Sequence, residues 1–150
     1  MEQNFKIRIA NQQDLETVFN FISHLEEKTF DLDSFTERFK ENIEKPHILY
    51  LVAVNEGDEA VGFVSCHGQS PLRYEGKSFE IQEMYISKNC RGKGIERLLF
   101  TSLEEQLAKM DCERVEISSG IDRLDAKKFY LKLGFNCILA RYVKEYQVYR

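Results

Sequence analysis

The sequence predicts an α/β domain built on a mixed, twisted central sheet, and three observations carry that expectation. Short segments with the period or composition of strands recur at Phe5–Ile9, Ile48–Val54, Val61–Ser65 and Phe79–Ile86. Amphipathic stretches with helical period separate or flank them. The longest of these, Ile95 to Met110, leads straight out of a glycine-rich turn, and strands alternating with single helices in this way build sheets covered on both faces.

The chain of 150 residues fits one domain, 1–150, long enough to bury about 70% of the surface exposed on unfolding. A formal net charge of −4 argues against a duplex-binding surface, which needs a basic excess to neutralise phosphates. Cys66, Cys90, Cys112 and Cys137 form no CxxC pair, and His24, His47 and His67 show no metal-ligand spacing with them. They read as reduced thiols, no metal is expected, and the protein is expected to be cytoplasmic. The opening residues carry no apolar targeting segment and the longest apolar run, Ile48 to Val54, is too short for a membrane span.

The first strand alternates Phe5, Ile7 and Ile9 with Lys6 and Arg8 and ends before Asn11, which caps a helix. On that helix Leu15, Val18, Phe19, Ile22 and Leu25 fall on one stripe. A second helix places Leu32, Phe35, Phe39 and Ile43 on a face, and Pro46 stops it. Ile48–Val54, nearly all apolar, suits a strand covered on both sides, and Asn55-Glu-Gly-Asp turns the chain into a hairpin with Val61–Ser65. Gln69 to Lys77, with Pro71 and Gly76, reads as a surface loop.

After the long helix, Val115 and Ile117 mark a short strand. Asp122 can cap a helix whose Ala126, Phe129, Tyr130 and Leu133 face inward. Gly134 suits the left-handed position after that helix, with Phe135 making the apolar contact that accompanies such a cap. A last strand or hairpin is expected from there to Tyr149. The order β-α-α-β-β-β-α-β-α-β gives six to seven strands flanked by about four helices.

Phe79 and Ile81 are apolar on one alternation, whereas Met84 and Ile86 are apolar on the other, so the phase switches at Gln82-Glu83. One extra residue explains the switch, because a bulge re-aims every later side chain and opens the ladder to the neighbouring strand. The splayed pair would admit an extended ligand. Immediately downstream, Cys90-Arg-Gly-Lys-Gly-Ile-Glu-Arg97 joins this strand to the long helix. Unpaired amides and the helix dipole favour an anion there, Gly92 and Gly94 let backbone come close, and Arg91, Lys93 and Arg97 add positive charge. A pyrophosphate suits the turn. The segment is neither a P-loop nor a GxGxxG dinucleotide motif.

Arg91-Gly-Lys-Gly-Ile after Met84-Tyr-Ile, followed by Ala126-Lys-Lys-Phe-Tyr-Leu-Lys-Leu-Gly-Phe135, resembles the GNAT acetyltransferases, whose coenzyme A loop reads Arg/Gln-x-x-Gly-x-Gly/Ala. The two motifs keep the family's order and separation, and the resemblance covers essentially the whole chain. It implies an acetyl-CoA site formed by Met84, Tyr85, Ile86, Arg91, Gly92, Lys93, Gly94, Ile95, Glu96 and Arg97. Glu96 departs from the pattern, which has Gly or Ala there, although a glutamate in the first turn of a helix is favourable to its dipole. The resemblance also suggests a homodimer.

Acetyl transfer from a thioester to an alkyl amine of pKa about 10 needs a base for the amine, a stabilised oxyanion and a proton for the departing thiolate. Glu80 and Glu83 lie on the strand at the cleft, and backbone amides at the bulge, near Tyr85, can polarise the thioester carbonyl. Glu80-Ile-Gln-Glu83, Phe30-Asp-x-x-x-Phe35 and Arg123-Leu-Asp-Ala-Lys-Lys-Phe-Tyr-Leu131 look like the aminoalkylphosphonate acetyltransferase branch, where the first glutamate is the implied base. That favours Glu80 over Glu83. By periodicity Tyr130 is a core aromatic, while the resemblance assigns it to protonating the thiolate.

The branch is associated with a divalent metal, but its histidine-rich segment is here only Cys66-His-Gly, so no metal ligands carry over. Cys90 beside the turn is the candidate for a rival cysteine nucleophile, with no histidine placed to serve it. Glu26, Glu27, Asp31 and Asp33 cluster at the junction of the first two helices and read as a solvated acidic face that could also attract a cationic amine. The function expected is N-acetyl transfer from acetyl-CoA to a small-molecule amine, with a non-catalytic acyl-CoA sensor of the same fold as the alternative.

Overall fold

A computed structural model describes residues 4–118 and 124–148, which fall in two compact units divided at Ser118/Ser119. The first holds five strands in the order β1-β2-β3-β4-β5: β1 Lys6–Ile9, β2 Ile48–Val54, β3 Ala60–Gln69, β4 Lys77–Ile86 and β5 Cys112–Ile117. Neighbours run antiparallel up to β4, whereas β4 and β5 are parallel. A parallel pair needs a crossover, and α3, Ile95–Leu107, supplies it.

Helices cover the two faces unequally. Because side chains alternate along a strand, Gly62 and Phe63 of β3 point to opposite sides. A Cβ on Gly62 would meet Ile95 and Leu99 of α3 at 3.3–3.4 Å, so this face takes α3 at a distance a larger residue would not allow. Phe63 joins the other face, a cluster with Val52, Val54, and Val18, Phe21, Ile22 and Phe39 of α1, Leu15–Glu26, and α2, Leu32–Ile43. With both sides covered, Val61 to Cys66 is continuously buried, as is Leu51 to Val54 of β2.

Local signals explain most boundaries. Asn11 accepts the Gln13 N–H and forms a capping box with Asp14, starting a short 3-10 turn that leads into α1. Asp31 caps α2 by accepting the Ser34 N–H at 2.9 Å. The hairpin strands are longer than expected, so only residues 70–76 remain as the loop between β3 and β4. Two expected core positions face water instead: Ile9 is 59% and Leu32 53% exposed, Ile9 at the outer strand and Leu32 at the first position of α2.

The second unit holds α4, Leu124–Lys132. Gly134 adopts φ +95°, and the amides of Phe135 and Gly134 donate to the carbonyls of Tyr130 and Leu131, the paired bonds of a Schellman cap. The expected cap at Asp122 lies outside the described residues, as does Arg123. Among the described residues the sheet has five strands rather than six to seven, because residues 135–148 form no strand. Val143, Tyr146 and Val148 are good strand formers, but that preference expresses packing on a pleated surface, and here these side chains stay exposed.

Candidate acetyl-transfer site

The phase switch in β4 is a bulge. Ser65 pairs with Glu83 but Cys66 with Ile81, so Gln82 is the extra residue. At the same point the ladder to β5 ends, with Ile81 opposite Ile117 as its last pair. Among the described residues Glu83 to Ile86 is therefore paired on one side only, by β3, and its other edge offers unladdered peptide groups. Met84 and Tyr85 are half-buried on this stretch and Ile86 is buried.

From Ile86 the chain passes a 3-10 turn, Lys88–Cys90, into the glycine-rich segment. Gly92 and Gly94 take φ +78° and +80°, and a Cβ at either would meet nothing within 4 Å. Backbone conformation, not space, selects glycine there. Gly94 is the N-cap of α3 and carries no side chain to cap it; the first helical bond runs from the Leu98 N–H to the Gly94 carbonyl. The amides of Ile95, Glu96 and Arg97 thus head the helix without intrahelical partners, which is the chemistry of an anion site. Arg91 donates from Nε to the Ile86 carbonyl at 3.1 Å and lies 5.5 Å over the Tyr85 ring, fixing the turn to the end of β4. Lys93 and Arg97 are exposed at the same turn, as is Glu96, and Ile95 is buried beneath it. This donor set fits a pyrophosphate.

On the face under α1 and α2 lies a cavity of about 600 Å³. Its apolar wall is Val18, Ile22, Phe30, Phe35, Phe39 and Phe63, and its polar groups are Glu26, Lys28, Arg38, Asn42, Tyr50, His67, Gln82 and Glu83. Strand pairing builds the polar floor, since Tyr50, Ser65 and Glu83 stand opposite one another across β2, β3 and β4, with His67 opposite Glu80 in the next row. Through the bulge, Glu80 and Glu83 share this face, and Glu83 lines the cavity.

Asn42 donates its side-chain amide to the Tyr50 hydroxyl at 2.8 Å. Burial raises the Tyr50 hydroxyl above its ordinary pKa, with the Asn42 bond working the other way. Burial also holds the His67 imidazole below its ordinary value against the attraction of Glu83, so it stands neutral at pH 7. Arg38 forms no salt bridge among the described residues.

The sequence pointed to Glu83, Gln82 and the turn, but not to Asn42, Tyr50 or His67. Each sits in an ordinary amphipathic segment, and only cross-strand register brings them together. Tyr130 is half-buried on α4, edge-on to Phe129 and Phe135 at 5.8 and 5.9 Å, within the second unit. The acidic residues at the helix junction divide: Glu26 lines the cavity, while Asp31 caps α2. Burial pushes the Cys66 thiol up to about 12, leaving it protonated and inert. Among the described residues no three His, Cys, Asp or Glu side chains gather as a metal site, and no helix is long and apolar enough to cross a membrane.

The sequence profile of the Acetyltransferase (GNAT) family matches residues 15–135, from the first helix through the Gly134-Phe135 cap. The chain belongs to the GNAT acetyltransferase family. A GNAT protein uses acetyl-CoA, and this one is an acyl-CoA-dependent N-acetyltransferase. It is 32% identical over 139 residues to the aminoalkylphosphonate N-acetyltransferase of Salmonella typhimurium, covering 93% of this chain and 90% of that protein. Its fold is similar to that of a transcriptional regulator from Bacillus halodurans, with TM-score 0.86, 23% identity and coverage of 95% and 100% of the two chains. An aminoglycoside N-acetyltransferase solved with CoA superposes with TM-score 0.83 at 14% identity, over 99% and 98% of the chains. These structural likenesses show the shared GNAT fold.

Proposed function

We propose that this GNAT protein acetylates the primary amine of a small zwitterion, an aminoalkylphosphonate or a related amine, by direct attack in a ternary complex. The observation that carries this reading is the cavity beside the bulge, which offers Glu83 and Glu26 for an ammonium and Arg38 and Lys28 for an anionic group. The Salmonella relative, whose name specifies an aminoalkylphosphonate, supports the same acceptor class.

The amides and glycines of residues 91–97 would hold the diphosphate of acetyl-CoA, and the open edge of Met84, Tyr85 and Ile86 would receive its extended arm. The acceptor ammonium must first lose a proton. Glu83 is the favoured base because it lines the cavity; Glu80, the residue the branch pattern implies, shares the face one row away opposite His67. The freed amine forms its N–C bond as the C–S bond breaks, the Tyr130 hydroxyl would supply the proton taken by the thiolate, and the second proton shed by the acylated nitrogen would return through solvent to the Tyr130 oxygen.

The test is release of free thiol when purified protein is mixed with acetyl-CoA and 2-aminoethylphosphonate, against a panel lacking the anionic group. Thiol release that depends on the phosphonate supports the reading. Faster turnover of purely cationic amines, polyamines or aminoglycosides, overturns the acceptor class.

A further inference from the structure

We infer that Ser65 is a positioning residue that fixes the Glu83 carboxylate for proton transfer, an inference that rests on Glu83 as the base. Ser65 is completely buried in the middle of β3, a run otherwise apolar from Val61 to Cys66. A hydroxyl in that setting must be bonded, because burial takes away the water that would otherwise satisfy it. Both of its bonds go to one residue. Ser65 Oγ accepts the Glu83 N–H at 3.0 Å and donates to Glu83 Oε1.

The first bond follows from the bulge. Gln82 interrupts the ladder, and the Glu83 amide turns to the Ser65 side chain as acceptor. The second bond then closes a ring through the Glu83 main chain and side chain, so the carboxylate is held relative to the bulge that opens the strand. No other hydrogen bond to the Glu83 side chain is made among the described residues. A carboxylate with Oε1 bonded to a donor keeps Oε2 as its acceptor for an incoming ammonium proton.

Tyr50, opposite Ser65 on β2, walls the same row, and its hydroxyl is occupied by Asn42. Ser65 alone ties the carboxylate to the sheet. An alanine at this position keeps the strand and nearly all of the volume, but it frees Glu83 to rotate and leaves its amide without an acceptor. Small misplacements of a reacting group are costly in rate, so the effect falls on turnover rather than on cofactor binding.

The experiment compares Ser65→Ala, Ser65→Thr, Glu83→Gln and the double variant Ser65→Ala/Glu83→Gln, with acetyl-CoA and 2-aminoethylphosphonate as substrates. Ser65→Ala should lower kcat about 10- to 100-fold with the acetyl-CoA KM unchanged, Ser65→Thr should restore it, and the double variant should be no slower than Glu83→Gln. Should Glu83→Gln retain full turnover, Glu83 is not the base and the inference falls with it. Should Glu83→Gln be slow but Ser65→Ala add its full loss on top, the base stands and the positioning role is overturned. A crystal structure of Ser65→Ala, or of Ser65→Cys if the alanine variant does not fold, gives a readout without turnover. An unmoved Glu83 carboxylate there overturns the inference.

Discussion

Arg8 and Asp14 form a two-pronged ion pair, Nη1 to Oδ2 at 2.8 Å and Nη2 to Oδ1 at 2.9 Å, tying β1 to the start of α1. Asp14 is buried and also accepts the Asn11 N–H at 2.8 Å. Burial alone would raise its pKa, but the Arg8 hydrogen bonds and the Asn11 amide outweigh it, and the folded value lies below 3.8. The stability this carboxylate contributes is therefore present above pH 3.8 and is lost as pH falls through that value toward the folded pKa. Asp14→Asn should cost about 1–2 kcal/mol at pH 7, discounted for the part-exposed arginine. Thermal melts from pH 7 to pH 3 should show a shallower acid decline in the variant; parallel curves would refute the assignment.

Arg91 reaches back to the Ile86 carbonyl and the Tyr85 ring, so its first task is to hold the turn. Arg91→Ala should weaken acetyl-CoA binding by about tenfold, from loss of one charge-assisted hydrogen bond. Calorimetry reads the change, and an affinity within a factor of two would show that the turn holds itself.

Glu96 is exposed in the first turn of α3, where its charge suits the dipole but opposes a bound diphosphate. Glu96→Gln removes the charge and keeps the helix propensity. The acetyl-CoA Kd should fall about threefold, the scale of one exposed charge at a helix end. No change would place the side chain beyond electrostatic reach.

Tyr130→Phe removes a proton donor but almost no volume. Turnover should drop by about 100-fold or more, as for loss of a general acid, with acetyl-CoA affinity retained. Equal losses in both would make Tyr130 a packing residue, the role its contacts with Phe129 and Phe135 already give it.

The bulge at Gln82 was legible because hydrophobicity is a face label, and a label that changes side within one strand has few physical causes. The turn at 91–97 was legible for a similar reason, since glycines at left-handed positions before a long amphipathic stretch specify backbone directly. The cavity was not. Asn42 sits in a helix whose pattern is carried by Phe35 and Phe39, and Tyr50 and Ser65 sit in strands that read as apolar. Their meeting is a product of register, which a single chain read in order does not contain. The last strand differs for the opposite reason: residues 135–148 have strand-like composition but form no ladder.

The extra residue in β4 also changes parity. Positions 80 and 83 differ by an odd number, so in an unbroken strand their side chains would point to opposite sides and only one acid could serve the site. With Gln82 inserted they become same-side neighbours. Deleting Gln82 would leave Glu80 opposite His67 and Glu83 opposite Ser65, so the two acids would keep their shared face and only the break that splays the strand between them would be lost.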